Sequence, residues 1–200
     1  MSGTDLDPRR QKESLRGELA ARRAALGAEQ RASASRRVAE RLFASSELLA
    51  ARSVFTCLSF GDELDTWGIV ARLLESGREV YVPRAERSPT RLAVCRFPCA
   101  LVTLSFGLRQ PPTSEPELPE REIDATIDLA LVAGLGFDRR GYRLGYGSGY
   151  FDRFLAGRPF PALGLAFDTQ IVDRLPVEPH DMPMAALITE SERMNPAESA

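Results

Sequence analysis

The chain has 200 residues, 44% of them hydrophobic and 27% charged, with 26 basic and 28 acidic side chains for a formal net charge of −2. Those proportions fit one globular domain with a core of ordinary size, and they exclude a disordered, collagen-like or disulfide-scaffold chain. Near-neutrality removes the polycationic surface that holds nucleic acid or an anionic membrane by charge alone, so neither is expected as a partner.

Residues 1–10 are polar and are expected to fray. From Gln11 to Leu26 the apolar positions Leu15, Leu19 and Leu26 recur on a background of Ala, Glu and Arg, which predicts an amphipathic helix. A second helix is expected over Ala28 to Phe43. The run SVFTCLSF, 53–60, reads as a strand. It is followed by a Gly61–Thr66 loop in which Asp65 or Thr66 caps a helix that Gly77 stops after Ser76. Short strands are predicted at 79–82, 92–96, 128–133, 162–166 and 186–189, with a Pro/Glu-rich loop at 111–120 and a further helix starting near Phe151. Residues 191–200 read as a loose tail, which leaves 11–190 as a single domain. Continuous apolar strands such as LALVA alternating with helices point to a buried, mostly parallel sheet.

The two halves differ mildly in charge, with 17 basic against 13 acidic side chains in residues 1–100 and 9 against 15 thereafter. No run approaches the roughly 18 apolar residues of a membrane span, and the first residues lack the apolar stretch of a signal peptide, so a cytoplasmic location is expected. Cys57, Cys95 and Cys99 are odd in number and lack CxxC spacing, which favours reduced thiols over zinc. The basic side chains are 25 Arg and one Lys, Lys12.

The densest chemical signal is GYRLGYGSGYFDRFL, Gly141 to Leu155. It supplies glycines at 141, 145, 147 and 149 immediately before a helix. Glycines let successive backbone N–H groups converge on a phosphate, with the following helix N-terminus adding partial positive charge. A glycine-rich surface hairpin satisfies the same pattern. The spacing is neither the dinucleotide fingerprint nor a P-loop. Tyr146 and Tyr150 offer stacking surface for a flat heterocycle. Asp152 suits either a helix cap or a hard cation.

These residues resemble the signature of the 5-formyltetrahydrofolate cyclo-ligase family, in Gly136-Phe137-Asp138, Arg143 to Gly147 and Gly149 to Arg153. Lys12-Glu13-Ser14-Leu15-Arg16 with Arg23 is similar to the family's N-terminal helix, Glu63-Leu64-Asp65-Thr66 to its Glu-x-Asp/Glu-Thr loop and Val82-Pro83-Arg84 to its Pro-Arg strand end. Pro176 to Asp181 resembles its Glu-x-His-Asp segment. The order is collinear over roughly residues 11–190. Ser148, Phe151, Ala133 and Gln110 depart from residues common in the family, and none of them removes a charged candidate ligand.

The resemblance implies a three-layer α/β/α fold with a mostly parallel sheet, similar to the ribose-phosphate isomerase and CoA-transferase group. It also implies a cytoplasmic, monomeric enzyme acting on small molecules: ATP as co-substrate, Mg²⁺ as cofactor, and 5-formyltetrahydrofolate cyclised to 5,10-methenyltetrahydrofolate through a phosphorylated formyl intermediate. It assigns ATP to Lys12, Arg16 and the loop Arg143, Leu144, Gly145, Tyr146, Gly147, Ser148, Gly149, Tyr150 and Phe151. Folate falls to Leu58, Glu63, Tyr146 and Tyr150, and the metal to Asp152 and Asp181. Lys12 and Arg16 lie four apart, so a helix presents both to one anion. His180 is expected to be structural or to orient a neighbour. The rival readings are a noncatalytic nucleotide-binding or RNA-associated module on the same fold, and a phosphosugar isomerase.

Overall fold

The computed structural model describes residues 7–196. The readings made for residues 1–6 and 197–200 lie outside the described residues. Three helices come first, α1 (Pro8–Ala24), α2 (Ala28–Phe43) and α3 (Ser46–Ala50), then β1 (Ser53–Thr56), α4 (Thr66–Glu75) and the hairpin β2 (Glu79–Arg87) and β3 (Thr90–Phe97). A small hairpin, β4 (Val102–Thr103) and β5 (Arg109–Gln110), leads to α5 (Glu120–Thr126) and β6 (Leu129–Val132). The chain continues through β7 (Gly136–Asp138), β8 (Arg143–Leu144), α6 (Tyr150–Leu155), β9 (Ala162–Leu165), β10 (Ile171–Val172), β11 (Ala186–Ile188) and β12 (Arg193–Met194). No described helix is long and apolar enough to cross a membrane.

The main sheet has the order β12-β11-β9-β6-β1-β2-β3. Its five inner strands run parallel, and β12 and β3 pair antiparallel at the two edges. Side chains alternate across a strand, so one sequence run serves two cores. Val54, Leu129, Leu131, Leu163 and Ile188 face Val38 and Leu42 of α2, Leu48 of α3, and Ile69 and Leu73 of α4. Phe55, Tyr81, Ala130, Val132 and Leu187 face Ile123 of α5 and Phe154 and Leu155 of α6. The three-layer, mostly parallel α/β/α arrangement is therefore present.

Asp65 is the residue that caps α4, its carboxylate accepting from the N–H groups of Trp67 and Gly68 at 2.9 and 3.3 Å. Thr66 instead turns inward, accepting from the Ser59 N–H at 2.8 Å and donating to the Cys57 carbonyl at 2.7 Å, and so closes the loop after β1.

Three expectations are corrected. Helix α1 begins at Pro8 rather than Gln11, with the Asp7 carboxylate accepting from the Arg9 N–H at 3.1 Å, so residues 8–10 are not frayed. The tail is not loose through 191–196, because β12 pairs with β11 and buries Met194 against the core. Strand β2 runs on to Arg87 rather than stopping at Val82. A proline is compatible with pairing on one side only, and the last partner of β2 on β1 lies opposite Tyr81, before Pro83.

A second, three-stranded sheet, β10-β7-β8, was not anticipated, since Gly134–Asp138 reads in sequence as a turn. Helix α1 lies on this sheet, with Leu15 and Leu19 packed against Leu144 and Leu175. The approach depends on Gly136, where an added Cβ would stand 2.4 Å from Leu19 Cδ1 and 3.0 Å from the Gln170 carbonyl oxygen. The packing brings α1, the glycine loop and the open ends of β1 and β6 to one place.

Candidate active site

A cavity of about 620 Å³ opens beyond the carboxyl ends of β1 and β6, lined there by Cys57, Leu58, Ala133 and Gly134. Parallel sheets place ligands at this edge because the connecting loops leave a crevice there. All fifteen sequence-predicted site residues line it: Lys12, Arg16, Leu58, Glu63, the loop Arg143 to Phe151, Asp152 and Asp181. Cys57, Glu178, His180 and the hairpin residues Leu104, Phe106 and Arg109 line it as well.

One end is ionic. Lys12 is almost fully buried, and its Nζ donates to Glu178 Oε2 at 2.8 Å and Asp181 Oδ2 at 2.6 Å. Burial alone would push its ammonium down, but the two carboxylates outweigh it and leave the pKa raised. Asp181 Oδ2 also accepts from the Glu178 N–H at 2.7 Å, which folds the 178–181 turn around the lysine. Arg16, one helical turn on, donates from Nε to the Gly145 carbonyl at 3.0 Å. Its guanidinium packs beneath Gly147, whose φ of +103° calls for glycine and where an added Cβ would stand 3.3 Å from Arg16 Cζ.

Arg143 carries the least satisfied charge in the site. Its Nη2 donates to Asp152 Oδ2 at 2.9 Å and its Cζ lies 5.0 Å from the Phe151 ring centroid. Its Nε and Nη1 are buried without a hydrogen-bond partner. Burial, only partly offset by Asp152, holds this guanidinium below its ordinary pKa. A buried donor with no acceptor is costly, so the pair of free N–H groups marks a place for an anion.

The other end is built around Glu63. Its Oε2 accepts from the Phe60 N–H at 3.1 Å and its Oε1 from the Tyr146 hydroxyl at 2.6 Å. Burial pushes the Glu63 carboxyl up despite these donors, and pushes the Tyr146 hydroxyl up beside it. Tyr146 keeps its ring 56% exposed, 6.2 Å from the Phe60 ring, which in turn lies 5.6 Å from that of Phe106. This row of rings offers a face for a flat ligand.

The carbonyl end of β1 adds Cys57, whose thiol is pushed up to about 11 by burial first and by the Glu63 charge second. Such a thiol is protonated at neutral pH and is no nucleophile. The three cysteines are free.

Two assignments gain detail. Leu58 and Leu144 reach the cavity wall but are 3% and 2% exposed and belong to cores on either side. Among the described residues, the ligand atoms that come within 4.8 Å of one another as a group of three are those of Glu178, His180 and Asp181. Asp152 lies on the same cavity as the partner of Arg143 instead. Glu178 was missed as a ligand candidate although it stands inside the quoted Glu-x-His-Asp segment. His180 is exposed, with Nε2 3.9 Å from Asp181 Oδ1.

Buried unpartnered donors and a carboxylate-and-aromatic slot thus share one cleft at the carboxyl edge of a parallel-sheet α/β domain, an arrangement that suits an enzyme holding an anionic and a flat ligand together. The chain belongs to the 5-formyltetrahydrofolate cyclo-ligase family, whose model matches residues 8–190. It is similar to the 5-formyltetrahydrofolate cyclo-ligases of Mus musculus (30% identical, covering 90% of this chain and 93% of that one) and Escherichia coli K12 (31%, 85% and 95%). In structure it matches a 5,10-methenyltetrahydrofolate synthetase of Aquifex aeolicus with a TM-score of 0.78, at 27% identity over 92% of each chain.

Proposed function

We propose that this chain converts 5-formyltetrahydrofolate and ATP to 5,10-methenyltetrahydrofolate, ADP and phosphate, with Mg²⁺ as cofactor. The reading rests above all on Arg143, a buried guanidinium with two unpartnered N–H groups in the wall of the cleft.

The formyl oxygen on nitrogen-5 attacks the γ-phosphorus of ATP and the bond to ADP breaks. Nitrogen-10 then attacks the formyl carbon, and phosphate leaves carrying the formyl oxygen and taking up the proton that nitrogen-10 gives up. The side chains position and neutralise, since phosphoryl transfer asks for little covalent chemistry from a protein. Arg143 presents Nε and Nη1 to the transferred phosphoryl oxygens while Asp152 fixes its orientation. Lys12 and Arg16 place two cations on one face of α1 toward the remaining phosphates, under the glycine loop. Glu63 receives the amide and amino donors of the pterin, and Phe60 and Tyr146 flank its ring. The hard carboxylate oxygens of Asp152, Asp181 and Glu178 fit Mg²⁺ better than the single imidazole does. When bound, the ion would supply charge neutralisation to the phosphates.

Growth of the methenyl-folate absorbance band on mixing the chain with 5-formyltetrahydrofolate and Mg-ATP tests the reading. No band above an ATP-free control would refute it.

A further inference from the structure

Arg23 was singled out in the sequence only as a trailing member of the N-terminal motif. In the structure it is 6% exposed and absent from the cavity wall, yet every partner it has stands at or beside that wall. Its Nη2 donates to Asp62 Oδ1 at 2.7 Å, and Nη1 and Nη2 donate to the Tyr146 hydroxyl at 3.3 and 3.2 Å. Nη1 also lies 3.9 Å from Glu63 Oε1, the oxygen that accepts from Tyr146 at 2.6 Å. The Tyr146 hydroxyl is thus a relay. It accepts from the arginine behind the wall and donates to the carboxylate in it.

The position on α1 adds a second observation. Residues 12, 16, 19 and 23 are spaced by four, three and four, so they fall on one face of the helix. Lys12 and Arg16 serve the ionic end of the cleft, Leu19 seats the helix on Gly136, and Arg23 serves the Glu63 end. One rigid helix therefore sets the spacing between the two ends.

We propose that Arg23 is a positioning residue for the heterocycle of the folate: from behind the cavity wall it holds the Tyr146 hydroxyl and the Glu63 carboxylate in the arrangement that receives the substrate's donors. The proposal rests on the function proposed above. The charged and titratable groups facing Glu63 are Arg23, Tyr146, Asp62 and the Cys57 thiol, and Arg23 is the cation among them. Burial already raises Glu63, and the Arg23 charge works against that rise. Removing the charge raises Glu63 further, so the acid limb of folate use moves to higher pH.

The test is steady-state kinetics of Arg23→Met and Arg23→Lys on the full chain. Folate is varied at saturating ATP, and ATP at saturating folate, from about pH 5 to pH 8. Arg23→Met is expected to raise the folate KM about tenfold, leave the ATP KM within about twofold, and shift the acid limb upward. Arg23→Lys keeps a charge and is expected to restore the limb, but only part of the KM, because an ammonium lacks the fork that reaches three acceptors. Parallel increases in both KM values, or an unmoved acid limb in a folded variant, would overturn the proposal. Should Arg23→Met fail to fold, Tyr146→Phe cuts the same relay at an exposed ring, and an unchanged folate KM there would overturn it equally. An unmodified chain without activity would instead refute the proposed function, and this inference with it.

Discussion

The two ends of the cleft handle charge in opposite ways. At the ionic end three cations, Lys12, Arg16 and Arg143, stand with three carboxylates, Asp152, Glu178 and Asp181, and Arg143 still has two buried donors to spare. At the other end one cation, Arg23, stands with Asp62 and Glu63, and both oxygens of Glu63 already accept from the chain. The first end lacks an acceptor for two buried donors of Arg143, against the single Nε of Arg23 at the second, and suits a phosphate. The second is a carboxylate held in place by donors on its far side, and a carboxylate keeps lone pairs for further donors.

Substitutions at four positions and a pH experiment would break or sharpen this contrast, in decreasing order of expected effect. Arg143→Met removes the spare donors and leaves Asp152 without its cation, and should cut kcat/KM for ATP by about a thousandfold, as loss of a preorganised charge stabiliser does. Steady-state assay with varied ATP measures it, and a loss under tenfold would mean that Arg143 does not face the phosphoryl group. Lys12→Ala should cost about a hundredfold in kcat/KM for ATP with folate KM little changed, and Lys12→Arg about tenfold, because a guanidinium fork does not fit where a compact ammonium contacts two carboxylates. Equal activity of Lys12→Arg and the unmodified chain would show that the lone lysine is incidental.

Glu63→Gln should raise the folate KM by about tenfold and leave ATP use intact, since one charge-assisted acceptor is lost while the shape stays. Equilibrium binding of 5-formyltetrahydrofolate by the variant measures the same loss without turnover. Gly136→Ala pushes Leu19 and with it α1. It should destabilise the fold by about 1–3 kcal/mol, read from urea unfolding. It should also raise both KM values together by about threefold, whereas a change at one end only would contradict α1 as their common support.

The smallest effect concerns acid stability. Glu178 is held below the usual carboxylate range, chiefly by the hydrogen bond from Lys12. A depressed acid contributes stability that is present above its ordinary 4.5 and is lost as pH falls through the depressed value. Glu178→Gln should therefore flatten the drop in urea midpoint between about pH 6 and pH 3 relative to the unmodified chain. An identical drop in both would remove the linkage.

Much of this was legible in the residues. LALVA and SVFT are apolar on both faces because each strand lies between two helical layers, and the helix at 66–75 carries its cap, Asp65, and its stop, Gly77, in the local sequence. The glycine loop, Lys12, Glu63 and Asp181 were legible as candidates from residue type and resemblance. Glu178 and Arg23 were legible only as members of motifs, because an acidic loop residue and one arginine among 25 look alike wherever they point. The sheet β10-β7-β8 was not legible at all. Its strands have two or three residues each, too few for alternation to show.

The sequence by itself determined the alternation of strands and helices, and the family resemblance it carries implied the layered fold and most of the candidate site residues, since periodicity and residue chemistry are local properties that survive without a partner. Only the tertiary structure decided which charges meet. Lys12 lies between Glu178 and Asp181, more than 160 positions away, and Arg23 beneath Tyr146, more than 120 away. Such pairings are set by how α1 seats on Gly136. No run of neighbouring residues encodes them, because the energy of a buried charge depends on what the fold brings to it.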